Sequence, residues 1–170
     1  MKLDLRWLVL FMSSLCMQKG VDMFNFALAP FGLYLYIPAL FIGYSASFVP
    51  FGIGFSTTIL LGLALEAKNT TGFSLVPLVI SFCILHYIQT QAADKSRMRL
   101  RNYLQPLNCF LWALWFLARR PSLASFLQNP LPLVLSFCLS QTLLWALSLW
   151  YMDLQHRLIV PLQKRLKPSA

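Results

Sequence analysis

Acid is scarce in this chain. Of its 170 residues only 5 are Asp or Glu, against 14 Lys and Arg, and Glu66 is the single glutamate. Charged residues make up 11% of the sequence and mean hydropathy is +0.65. A soluble domain carries about 25% charged residues, so this composition excludes an ordinary soluble globular fold and leaves no mass for a soluble catalytic domain. Only 2 histidines are present, and Cys16, Cys83, Cys109 and Cys138 each stand alone in apolar segments with no CxxC. Those absences argue against metal-ligand spacing and disulfides, and favour buried, unpaired thiols. No metal or cofactor is expected.

What is present is long apolar sequence. From residue 23 to residue 65 there is no charged side chain at all, enough to cross a bilayer twice at ~20 residues per helix. Glu66 closes that run. A carboxylate there is costly if it faces lipid, so it marks a membrane boundary or an inward-facing contact. Six spans fit the hydropathy pattern, at about 5–26, 29–43, 46–65, 72–90, 103–118 and 131–152, the second kinked or broken around Pro30, Gly32 and Pro38. Lys19, Asp22 and Asn25 form a polar stripe near the outer end of the first. Lys2 and Arg6 before an apolar stretch imitate a signal peptide, but the polar 19–25 region and Pro30 point to a retained first helix.

Lys and Arg set the orientation. With six spans, Lys2, Arg6, Lys95, Arg97, Arg99, Arg101, Arg157, Lys164, Arg165 and Lys167 fall on one side, and Lys19, Lys68, Arg119 and Arg120 on the other. Both termini are therefore expected in the cytoplasm. The net charge of +9 then reflects a positive inner face on anionic lipid rather than nucleic-acid binding, since no aromatic stacking pattern accompanies it. Residues 1–152 form one six-helix membrane domain. Residues 153–170, with Leu154, Leu158, Leu162 and Leu166 at every fourth position, form a basic amphipathic tail interrupted near Pro161. Trp145, Trp150, Tyr151 and Tyr87 fit an interfacial aromatic belt. Asn69-Thr70-Thr71 matches a glycosylation sequon, a triplet common by chance.

Catalysis is not expected. Ser56 and His86 invite an intramembrane serine-protease reading, but Gly54-Phe55-Ser56-Thr57 lacks the second glycine of the rhomboid element, and the two residues fall at different depths. Gly54, Thr58, Gly62 and Glu66 instead recur every four residues as a small-residue ridge on the third helix. Such ridges let helix backbones approach closely in lipid, either within the fold or against a partner helix.

Gly62-Leu63-Ala64-Leu65-Glu66-Ala67-Lys68, followed by Gly72 and apolar residues 75–88, resembles the rod-shape-determining MreD family, which shows a glycine, three apolar residues and an Asp at this point. Here Glu66 replaces the Asp, lengthening the arm by one methylene. Tyr36-Ile37-Pro38-Ala39-Leu40, the basic linker before Tyr103 and Leu143-Leu144-Trp145-Ala146-Leu147 before a basic tail are also similar, so the likeness covers nearly the whole chain. It implies a non-enzymatic component of the bacterial inner membrane, bound to an MreC-like protein and through it to the actin-like MreB, the RodA glycosyltransferase and its transpeptidase. It also implies an all-α bundle similar to the substrate-binding subunits of energy-coupling-factor vitamin transporters. A small-molecule transporter subunit is the alternative, with Gln18, Asn25, Asn69 and Thr70 as candidate lining groups. Glu66 is expected to act as a structural carboxylate, orienting the turn from third to fourth helix or a partner helix.

Overall fold

The computed structural model describes residues 5–68, 75–91, 97–118 and 130–166. All regular structure among them is helical: α1 (Leu5–Leu28), a short 3-10 turn (Ala29–Phe31), α2 (Ala39–Phe48), α3 (Phe51–Lys68), α4 (Leu75–Gln91), α5 (Arg97–Ala118) and α6 (Leu131–Leu166). Successive packing of α1 on α3, α3 on α4, α4 on α5, α5 on α6 and α6 back on α1 closes a ring. Helix α2 lies inside it, touching α3, α4, α5 and α6. Every residue of α2 from Ala39 to Ser47 is buried. A helix apolar on all sides is one enclosed on all sides.

Prolines cut the chain where the expected second and third spans meet. Val49 precedes Pro50 and adopts the extended conformation (φ −121°, ψ 149°) that a following proline favours. That stops α2 at Phe48 and lets α3 start at Phe51, with the Pro50 carbonyl accepting from the Ile53 and Gly54 amides at 3.0 and 3.1 Å. Upstream, Gly32 takes the left-handed conformation (φ 68°) that closes the 3-10 turn, a conformation glycine adopts without steric cost. Pro38 then opens α2 rather than kinking a longer helix. The expected second span at 29–43 is thus replaced by a turn, a non-helical segment at residues 33–38 and a short buried helix.

Other boundaries also move. Helix α5 begins at Arg97, so residues 97–101 are its first turns and not a linker. Helix α6 continues through the boundary expected after Met152 and through Pro161, where an interruption was expected, reaching Leu166. Its 36 residues measure about 54 Å at 1.5 Å per residue. Beyond Met152 it remains packed, with Gln155 and Ile159 buried and Leu158 exposed. Tyr151 is also buried, unlike the exposed Trp145, Trp150 and Tyr87, because its hydroxyl reaches Ser14 on α1. All four cysteines are unpaired, but Cys16, Cys83 and Cys138 are exposed rather than buried. One described stretch, Leu131–Leu162 of α6, is long and apolar enough to cross a membrane by itself; α2, α3 and α4 are shorter apolar helices.

Two glycines set the close approach of α2, α3 and α4. A Cβ on Gly54 would lie 2.6 Å from the Ser45 carbonyl oxygen and 2.9 Å from the Phe82 ring, and one on Gly62 would lie 2.5 Å from the Leu75 side chain and 3.1 Å from its Cα. Gly54→Ala is therefore expected to destabilise the bundle by about 1–3 kcal/mol. Gly52→Ala, with nothing within 4 Å of its Cβ, should cost nothing. Thermal unfolding of the purified variants in detergent reads the difference.

Candidate functional site

A non-helical segment inside a helical ring has peptide groups that no helix satisfies, and in an apolar interior each unmade hydrogen bond costs about 1–3 kcal/mol. Residues 33–38 meet that demand with side chains from three helices. Asn25 of α1 acts as a surrogate strand: its Oδ1 accepts the Leu35 amide at 2.6 Å and its Nδ2 donates to the Leu35 carbonyl at 3.0 Å. Asn108 of α5 does the same one step along, with Nδ2 donating to the Tyr36 carbonyl at 3.1 Å and Oδ1 accepting the Ala39 amide at 3.4 Å. Ser136 and Ser140, one turn apart on α6, accept the amides of Tyr34 and Tyr36, each at 3.0 Å. Both serines return their own protons to α6, to the carbonyls of Pro132 and Ser136 at 2.7 Å.

Side chains along the segment alternate as in a strand. Tyr34 and Tyr36 point to one side and stack on Trp115, each with ring centroids 5.0 Å apart. Leu35 and Ile37 are buried. The segment leads directly into α2, whose first turn is closed by the Leu40 and Phe41 amides donating to the carbonyls of Ile37 and Pro38. At the far end of α2, the Ala46 carbonyl is within hydrogen-bond range of His86 Nδ1 on α4, at 2.8 Å. A carbonyl can only accept, so Nδ1 carries the proton there. Helix α2 is thus capped at its start by Asn108 and near its end by His86.

A second polar cluster ties α1 to α6. Tyr151 donates to Ser14 Oγ at 3.0 Å, and Gln155 Nε2 reaches both the Tyr151 hydroxyl at 2.9 Å and Ser13 Oγ at 3.3 Å. The buried Gln155 Oε1 has no partner among protein atoms.

The ridge predicted on the third helix lies on α3 and is internal. Gly54, Thr58 and Gly62 are buried, with the Thr58 hydroxyl turned back to the Gly54 carbonyl at 2.8 Å. Glu66 accepts the Leu75 amide at 3.2 Å, the first residue of α4. Its side chain thus links α3 to the first described turn of α4, where negative charge is favoured. Gly72 falls outside the described residues. The serine-protease pair does not form: Ser56 is exposed and donates to the Ile53 carbonyl, while His86 faces Ala46.

Of the basic residues expected at the inner face, Arg99 is exposed. Arg101 lies over the Trp145 ring, 4.7 Å from its centroid. Arg157 pairs with Asp153 at 2.7 Å in an exposed i,i+4 contact, the kind worth about 0.3–0.5 kcal/mol. Arg97, Lys164 and Arg165 belong to the backbone of α5 and α6. Lys95 and Lys167 lie outside the described residues, as do Asn69 and Thr70 of the vitamin-site alternative. Of that alternative's remaining groups, Asn25 is committed to the segment backbone and Gln18 donates to Asp22 at 3.0 Å. The recess that Gln18 shares with residues 34–38 holds about 20 Å³, room for one water and far below the ~300–1,000 Å³ of a small-molecule pocket. Two larger hollows, between α4 and α5 and between α5 and α6, are open grooves with apolar walls. Among the described residues no group of three His, Cys, Asp or Glu could hold a metal ion.

Sequence reasoning missed Asn108, Ser136 and Ser140, and placed Asn25 in a polar stripe and among the lining groups of the transporter alternative. The available signal was the break itself: Pro30, Gly32 and Pro38 in an apolar run demand amides or hydroxyls elsewhere, and Asn108 and the i,i+4 serines were candidates in equally apolar surroundings. No protein-family model, curated protein or solved structure matches the chain.

Asn108→Leu removes the side-chain partner of the buried Ala39 amide and of the Tyr36 carbonyl. A loss of about 2–5 kcal/mol follows. Ser56→Ala, at an exposed hydroxyl, should stay within ~0.5 kcal/mol of the parent. Denaturant or thermal melts in detergent micelles distinguish the two.

Proposed function

We propose that the chain is a non-enzymatic, multi-pass scaffold of the bacterial cytoplasmic membrane, an MreD-type component of the cell-elongation machinery that binds the single transmembrane helix of an MreC-like protein. Through that partner it would communicate with MreB, RodA and the associated transpeptidase. The observation that carries the membrane part is the inversion of polarity. Asn25, Asn108, Ser136, Ser140 and Tyr151 turn inward to satisfy backbone or one another, while Leu8, Leu63, Ile80, Phe110 and Leu139 face outward from five different helices. Lipid is the solvent that suits such an exterior.

Six crossings are compatible with the broken second segment. Residues 33–38 reach up to about 20 Å and the 10 residues of α2 add about 15 Å, together matching a ~30 Å hydrocarbon layer. Both termini then lie in the cytoplasm with the basic start of α5 and the end of α6. The scaffold role rests on the sequence resemblance and on the use of the polar side chains in holding the fold together. Since α2 and α4 cover the α3 ridge, the partner helix would meet an outward face instead.

Co-expression with an MreC-like protein should yield a complex that survives purification. Substitution of outward residues by Trp, at Leu60, Val76, Val134 and Leu139 in separate variants, should abolish it for at least one face without loss of thermal stability. Failure of the parent chain to co-purify overturns the scaffold assignment. A C-terminal reporter active only in the cytoplasm should be active, and a silent reporter overturns the orientation.

A further inference from the structure

We infer that the groove between α4 and α5 is a discrete site for an anionic phospholipid of the inner leaflet, with one acyl chain along the groove and the headgroup at the first turns of α5. This rests on the membrane orientation proposed above. The groove has a volume of about 300 Å³ and is walled by Ile84 and Ile88 of α4 and by Tyr103, Pro106 and Phe110 of α5, among other apolar side chains. From Tyr103 to Phe110 it runs about 10 Å at 1.5 Å per residue, most of the ~15 Å of one leaflet's hydrocarbon. A groove of that length and apolarity suits a chain of methylenes.

Its inner end is chemically different. Arg99, Tyr103, Pro106 and Phe110 follow one another at i, i+4, i+7 and i+11, so the exposed Arg99 stands one turn beyond the groove on the same face of α5. A guanidinium at that level suits a lipid phosphate. Pro106 has no N–H to offer the Asn102 carbonyl four residues earlier, and the exposed Asn102 side chain stands at the level of a headgroup hydroxyl. Phosphatidylglycerol supplies both the uncompensated negative charge and the hydroxyls. Phosphatidylcholine supplies neither. The groove between α5 and α6, lined by Trp112, Leu133, Val134 and Phe137 among others, lies toward the opposite end of α5 and, among the described residues, has no arginine one turn away.

The full chain, reconstituted in phosphatidylcholine vesicles containing a minor fraction of phosphatidylglycerol and then extracted, is examined by native mass spectrometry for retained lipid. The parent should retain phosphatidylglycerol preferentially. Arg99→Gln should lower that preference roughly fivefold, as expected for one arginine at a membrane surface. Ile88→Phe, which fills the groove from α4, should remove retained lipid of both kinds, while Val134→Phe in the other groove should leave retention at the parent level. Equal retention of the two lipids by the parent, or parent-like retention by Arg99→Gln or by a folded Ile88→Phe, overturns the site. Failure of the parent to enter vesicles at all overturns the membrane assignment, and the site with it. Stable insertion without lipid preference overturns the site alone.

Discussion

Everything in this bundle depends on the obligation to satisfy the peptide groups of residues 33–38 away from water. A helix satisfies its own backbone, whereas this segment cannot, and it lies inside the ring. Asn25 and Asn108 each present a donor and an acceptor in the spacing of a peptide group, and the two serines of α6 supply acceptors for intervening amides. These bonds fix where α1, α5 and α6 stand relative to one another, since each helix must deliver its polar group to a particular residue of the segment. The helix that follows can then be apolar throughout, because its ends are capped from outside by Asn108 and His86.

Small residues complete the arrangement. With α2 in the middle, its neighbours must approach it closely, and Gly54 permits the contact between α3, the Ser45 carbonyl and Phe82. Gly43 does the same toward Leu104, whose methyl carbons would lie 3.1 Å from an added Cβ. The ridge on α3 is an internal bearing surface, and Glu66 at its end secures the start of α4. One helix face thus sets both a spacing and a tie to the next helix.

Much of this was legible in the sequence, and the exceptions have a common cause. Helix content and the break around Gly32 and Pro38 follow from hydropathy and from what proline and glycine permit. Glu66 could be placed at a helix end because nothing else explains a carboxylate after so long an apolar run. The brevity of α2 was not legible, because the length of an interrupted helical segment is decided by side chains far away in the chain. Tyr151 read as an interfacial aromatic because its partner, Ser14, is 137 residues distant. The continuation of α6 past Pro161 was hidden for the converse reason. A proline breaks a helix by default, and only tertiary packing such as that of Ile159 keeps this one continuous.

The wide separation of those partners bears on how the chain is made. Tyr34, Tyr36 and Ala39 wait for Asn108, Ser136 and Ser140, which lie 69 to 104 residues downstream. During synthesis from the N-terminus residues 33–38 therefore emerge long before most of their hydrogen-bond partners exist, with only Asn25 at hand. Until α6 has been translated, the Tyr34 and Tyr36 amides lack the serine hydroxyls that accept them in the finished bundle. The position of residues 33–38 is therefore secured only once α6 is present, so the stability of the first third of the chain depends on residues in its last third.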